Sequence, residues 1–215
     1  MTARSRLALT ALLLALPALC GAQKDDAAVP RPELKVGDRW VYTTKRSSEA
    51  SPRAFEIAVT FADDKAVHTV TTSQGGRRET DAIWTPEWNP IASPAGGIFD
   101  PKREVLRFPL RAGSTWKSAY ELRLPRKGEY RARWDWTVRV EGYEEIVVPA
   151  GKFRALKVVG EADVRRLDVP AASTAREVHW YVGRVKKVVK YTFEEFSDRR
   201  RTYWQEEELV FYSVQ

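Results

Sequence analysis

The chain has 215 residues, 36 of them basic and 29 acidic, with a net charge of +7. That length suits one domain or two small ones. The basic excess is modest and spread in short runs such as Arg165-Arg166 and Lys186-Lys187, which reads as charged solvent faces of strands and turns.

Arg4 and Arg6 give the chain a positive start, and Leu7 to Leu19 follows as an uncharged apolar run. The run is shorter than the ~20 residues of a membrane-spanning helix. Cys20-Gly21-Ala22 then offers small residues before a cut. The pattern predicts a signal peptide over 1–22, cleaved between Ala22 and Gln23 to release a periplasmic or secreted protein. The alternative is acylation of Cys20 and a lipid anchor. The bulky Leu19 directly before the cysteine argues against it. Cleavage after Ala22 removes the only cysteine, so a disulfide, a thiolate nucleophile and a cysteine metal site are excluded. No later segment is apolar enough to serve as a transmembrane anchor. In that compartment a lipid, an anionic envelope polymer or an envelope protein is the expected kind of partner, and nucleic acid is not.

Residues 23–33 are polar and proline-bearing and form a flexible lead-in to a domain over 34–215. From there period-two alternation dominates. Tyr130, Ala132, Trp134, Trp136, Val138 and Val140 take one face, while Arg131, Arg133, Asp135, Thr137, Arg139 and Glu141 take the other. Such a strand has one face in a core and one in water, so Trp134 and Trp136 are core anchors and Arg133 and Asp135 are not. Phe55-Phe61, Leu156-Val164, Val189-Phe193 and Leu209-Phe211 repeat the pattern. Turn chemistry separates these runs at Ala62-Asp63-Asp64-Lys65, Ser73-Gln74-Gly75-Gly76, Pro125-Arg126-Lys127-Gly128 and Pro149-Ala150-Gly151. The expected fold is all-β, about ten to twelve antiparallel strands in a meander that forms an open or partial barrel or a sandwich.

Pro86 to Pro101 breaks the rhythm. Pro86, Pro90, Pro94 and Pro101 with Gly96-Gly97 argue against a paired interior strand. Trp88, Ile91, Ile98 and Phe99 are too apolar for an idle linker. The segment is expected to be a loop that plugs, covers or lines an opening.

Leu34-Lys-Val-Gly37-Asp-Arg-Trp40 and Leu110-Arg-Ala-Gly113-Ser-Thr-Trp116 resemble each other. In each, glycine permits a tight turn and tryptophan begins the next strand. Two related halves, 34–108 and 110–213, follow as an expectation. With Gly113-Ser-Thr-Trp116 stand Val148-Pro-Ala-Gly-Lys-Phe153 and Trp180-Tyr181, followed by Val185 to Lys190. In these motifs the chain resembles an uncharacterised exported bacterial β-rich family. Two departures are Gly183-Arg184, where that family carries a proline, and the doubtful lipoprotein cysteine. The resemblance implies a fold similar to the half-barrels of periplasmic lipoprotein carriers, and it supplies no activity and no catalytic residues.

Chemistry-bearing constellations are thin. His68 and His179 are the two histidines, and each reads as structural or surface rather than catalytic. Carboxylate runs at Asp63-Asp64, Glu144-Glu145, Glu194-Glu195 and Glu206-Glu207-Glu208 point to alternating faces of strands, so a run does not make an acid/base pair. No calcium loop, phosphate loop or nucleophile elbow is present. No catalytic residue, metal site or cofactor is therefore expected. The aromatic load remains, with eight tryptophans, eight tyrosines and eight phenylalanines. Trp84, Trp88, Phe99, Trp134, Trp136 and Trp180 are the candidate lining of an apolar site. The leading reading is an exported, non-enzymatic binding or carrier module of the cell envelope for a lipid or other apolar ligand. A filled-core structural or interaction protein is the alternative, and an uncharacterised hydrolase the third.

Overall fold

The computed structural model describes residues 27–73, 75–76, 78–92, 96–125 and 130–215, without the side chains of 78–80. The signal peptide, Cys20, the Ala22–Gln23 cut and the start of the lead-in lie outside the described residues. So do Gln74, Pro94 and the Arg126-Lys127-Gly128 turn.

Among the described residues twelve strands follow one another in a meander. They are β1 (Arg39–Arg46), β2 (Arg53–Ala62), β3 (Val67–Ser73), β4 (Arg78–Trp84), β5 (Pro90–Ala92), β6 (Ile98–Asp100), β7 (Thr115–Leu124), β8 (Tyr130–Val148), β9 (Gly151–Arg166), β10 (Ala172–Val182), β11 (Lys187–Ser197) and β12 (Arg200–Ser213). Each pairs antiparallel with its neighbours in sequence, and β1 pairs with β12, so the sheet is a closed barrel. This corrects the expectation of an open half-barrel. Trp40 lies opposite Tyr212 and Arg46 opposite Gln205, so β12 occupies the whole of the edge that an open sheet would leave to water. No helix among the described residues is long and apolar enough to cross a membrane.

The alternation on β8 sets the polarity of the wall. Ala132, Trp134, Trp136, Val138 and Val140 are all buried. The other phase is tied down in water, Arg131 to Glu121, Arg133 to Asp135 and Arg139 to Glu161. The wall is thus apolar inside and charged outside, the reverse of a barrel whose outer face meets lipid.

The two strand openings share one hydrogen-bond scheme. Gly37 N–H donates to Val59 O and Val59 N–H returns to Asp38 O. Gly113 N–H likewise donates to Val140 O, and Val140 N–H returns to Ser114 O. Both glycines have positive φ, 93° and 82°, a region that side chains with a Cβ enter at a cost. Trp40 and Trp116, three residues on, are both buried. Residues 34–108 and 110–213 contribute to one closed sheet, joined at β6–β7 and at β1–β12.

The proline-rich stretch enters the wall, contrary to the expectation that it stays unpaired. Its prolines permit this by standing at strand ends: Pro90 opens β5 and Pro101 follows β6. Pairing is minimal there, with Ala92 opposite Ile98 as the register between β5 and β6.

Candidate functional site

Inside the barrel a cavity of about 280 Å³ is lined by side chains from most of the wall. Much of its lining is aromatic and aliphatic, built from Tyr42, Ile57, Trp84, Trp88, Pro90 and Phe99. Alternation explains why these meet. Trp40 pairs with Ile57 and Tyr42 with Phe55, so the inward phase of β1 continues into β2. Thr69 pairs with Ala82 and Val67 with Trp84, which carries the phase into β4.

Trp88 is held in an uncommon backbone conformation, φ 65°. For a bulky residue this costs on the order of 1–3 kcal/mol and persists only when its surroundings fix it. Those surroundings are visible. The Trp88 amide donates to Thr85 O at 2.9 Å, and the indole Nε1–H donates to Lys186 O at 2.7 Å. The ring stands edge-on to Trp40 at 5.4 Å and to Trp84 at 5.9 Å. Asn89, buried beside it, anchors the next stretch by accepting from the amides of Val105 and Leu106 and donating to Leu106 O.

The lining also carries charge. Arg103 and the buried Glu177 form an ion pair, with the Arg103 side chain 19% exposed and that of Glu177 2%. Burial pushes the Glu177 carboxyl up, but Arg103 and His179 outweigh it and hold it down at about 2. The Arg103 guanidinium also lies 5.2 Å from the ring of Trp136, so the tryptophan below supports the ion pair. His179 Nε2 is 3.4 Å from Glu177 Oε1 yet out of line for a hydrogen bond. Tyr191 lies against the His179 ring at 4.8 Å. Its phenol is pushed well up by burial and by Glu177, so it remains protonated and available as a donor.

Two further ionisable groups line the wall, Lys187 and Glu207. Burial pulls the Lys187 ammonium down to about 7, with Glu207 acting in the opposite direction. Its Nζ lies 3.2 Å from the ring centroid of Trp88 and 5.4 Å from those of Trp40 and Trp84. Burial raises the Glu207 carboxyl, against the pull of Gln205, Arg46 and Lys187. Gln205 Nε2 donates to Glu207 Oε1 at 2.6 Å.

Of the residues expected to line an apolar site, Trp84, Trp88 and Phe99 do so. Trp134 and Trp136 are buried elsewhere in the interior, stacked at 5.7 Å with 7° between planes, and Tyr120 extends the column at 6.3 Å. They are filled core and do not line the cavity. Trp180 is not on the cavity wall either. It follows His179 on β10 and takes the opposite phase, with Lys190 Nζ 6.0 Å from its ring. His68 packs against Phe61 at 5.2 Å and does not meet His179. His179, read as structural or surface, instead faces the cavity.

The cavity wall carries no Ser, Thr or Cys. It can therefore hold an apolar body beside polar groups, and it can move a proton. Among the described residues no set of three His, Cys, Asp or Glu side chains is gathered as metal ligands.

No family model matches the chain, and no curated protein matches it either. Two solved structures share its fold. One is a predicted lipoprotein of Parabacteroides distasonis, with a TM-score of 0.55 and 13% identity over 87% of this chain and 100% of the other. The other is a predicted exported protein with a YmcC-like fold from Bacteroides fragilis, with a TM-score of 0.53 and 13% identity over the same shares. At that identity the likeness is one of fold.

Proposed function

We propose that the chain is an exported, non-enzymatic binding or carrier module of the bacterial cell envelope that takes a small apolar or amphipathic molecule into its barrel. The observation that carries this reading is the cavity beneath Trp84, Trp88 and Phe99, with aromatic walls over a few placed polar groups. At about 280 Å³ it stands near the lower end of small-molecule sites, about 300–1,000 Å³, so a single chain or ring system fits it better than a two-chain lipid. The exported, lipoprotein-like character of the structural neighbours and the signal-peptide pattern support an envelope location. The Val148–Phe153 and Trp180-Tyr181 motifs support kinship with the exported β-rich family. Pro90 and Phe99, from the short paired stretch of the wall, make that seam the natural place for a ligand to pass.

Native mass spectrometry of the protein purified from its own periplasm tests the reading. A bound apolar molecule is the expected result. A bare mass, together with failure to take up a fluorescent fatty acid, overturns it. One observation favours a hydrolase, the approach of His179 to Glu177 beside the cavity. In such an enzyme His179 would act as the base that activates water. Turnover of short-chain esters that is lost in His179→Ala would establish that reading in place of the carrier.

A further inference from the structure

Lys187 opens β11 and lines the cavity together with Tyr191 of the same strand. A cation so placed must find an anion or ring faces to offset its lost hydration. Lys187 finds rings: its ammonium lies over the faces of Trp88, Trp40 and Trp84. Among the described residues it makes no ion pair and no hydrogen bond. The other cations of the interior are differently placed. Arg103 is neutralised by Glu177, and Lys186, just outside the wall, is paired with the buried Asp38 at 3.0 Å. Lys187 thus presents an ammonium to the cavity without a counter-charge in contact.

Resting on the binding reading above, we propose that the cavity selects a single-chain amphiphile with a carboxylate head, the head held by Lys187 and the chain lying against Trp84, Ile57 and Phe99. A single free ammonium matches a single negative charge. A doubly charged phosphate monoester would leave one charge unpaired in a low-dielectric site. The tryptophan rings, which now cover the ammonium, exclude water from the ion pair and so strengthen it. The reduced basicity of Lys187 adds a consequence. A bound carboxylate stabilises the ammonium, so binding above about pH 7 is accompanied by proton uptake. The other titratable or charged groups on the cavity wall are Glu207 on β12, His179 on β10, Tyr191 on β11, Tyr42 on β1 and Arg103 between β6 and β7, with Glu177 beneath.

Calorimetric titration of the full mature chain with decanoate and with decanol separates the claims. The expected result is a preference for decanoate of about tenfold or more, the scale of one charge-assisted hydrogen bond. Proton uptake should accompany decanoate alone. Lys187→Met should collapse the decanoate-to-decanol ratio to near one, and Lys187→Arg should restore most of it. Near-ultraviolet circular dichroism of the tryptophans verifies that each variant is folded. Equal binding of the two probes by the unaltered protein, or a ratio unmoved by Lys187→Met, overturns the head-group assignment and leaves the binding reading standing. Binding of neither probe overturns both. If Lys187→Met does not fold, the preference and proton uptake of the unaltered protein, with rescue in Lys187→Arg, decide the matter.

Discussion

Two groups of tryptophans lie inside the same barrel and do different things. Trp134 and Trp136 stand on one strand, β8, and stack nearly parallel with Tyr120. Trp40, Trp84 and Trp88 come from β1, β4 and the turn before β5, and meet edge to face around Lys187. The first arrangement follows from residues two apart on a regular strand, whose rings align along the pleat. The second depends on a left-handed residue and a turn, so its rings cannot align and space remains between them. Filled and hollow regions of one interior therefore differ in backbone regularity more than in composition.

Truncation should separate the two groups most sharply. Trp136→Ala is expected to cost roughly 3–5 kcal/mol, because the column has no slack. Trp84→Ala should cost less, below about 3 kcal/mol, since its ring already faces open space. Urea melts of both variants check this, and equal losses would show that the cavity is not a true gap in packing.

Between the two groups lies the Arg103–Glu177 ion pair. Glu177→Gln removes a charge from a buried pair, and the loss should fall toward the lower end of about 3–5 kcal/mol because Arg103 keeps some exposure. The pH dependence has a definite sign. The Glu177 carboxyl is depressed in the folded state, so its contribution is present above its ordinary range near 4.5 and is lost as pH falls toward about 2. Melting followed between pH 5 and pH 2 should therefore show a steeper decline in the unaltered protein than in Glu177→Gln.

Gly160 sharpens the packing of the column. A Cβ there would come within 3.0 Å of both the Trp136 ring and Glu177 Cγ. Gly160→Ala is expected to destabilise by about 1–3 kcal/mol, through overpacking rather than backbone strain. A neutral result in the same melts would show that the column can shift. The smallest effect belongs to the outer face, where Arg133→Ala should stay within about ±0.5 kcal/mol, its pair with Asp135 being solvent-exposed.

Much of this interior was open to reading from alternation alone. Glu207 is in phase with Leu209, and Glu177 and His179 with the buried Tyr181. A charged residue in the apolar phase of a strand is a signal, and the run Glu206-Glu207-Glu208 hid one by surrounding it with outward carboxylates. Arg103 offered no such signal, because it stands on an irregular stretch between β6 and β7. Nor did the sequence distinguish Trp84 from Trp134, since both satisfy the same period-two rule.

By itself, then, the sequence determined the long alternating strands, their inward and outward faces, the paired glycine turns at Gly37 and Gly113, and the burial of Trp134 and Trp136. These are local properties, set by a side-chain period of two and by the few residues that accept a positive φ. Closure of β1 on β12, the entry of Pro90 and Phe99 into the wall, and the meeting of Lys187 with three tryptophans were decided only by tertiary structure. Each joins residues far apart along the chain through barrel curvature and register, and none is written in any single strand.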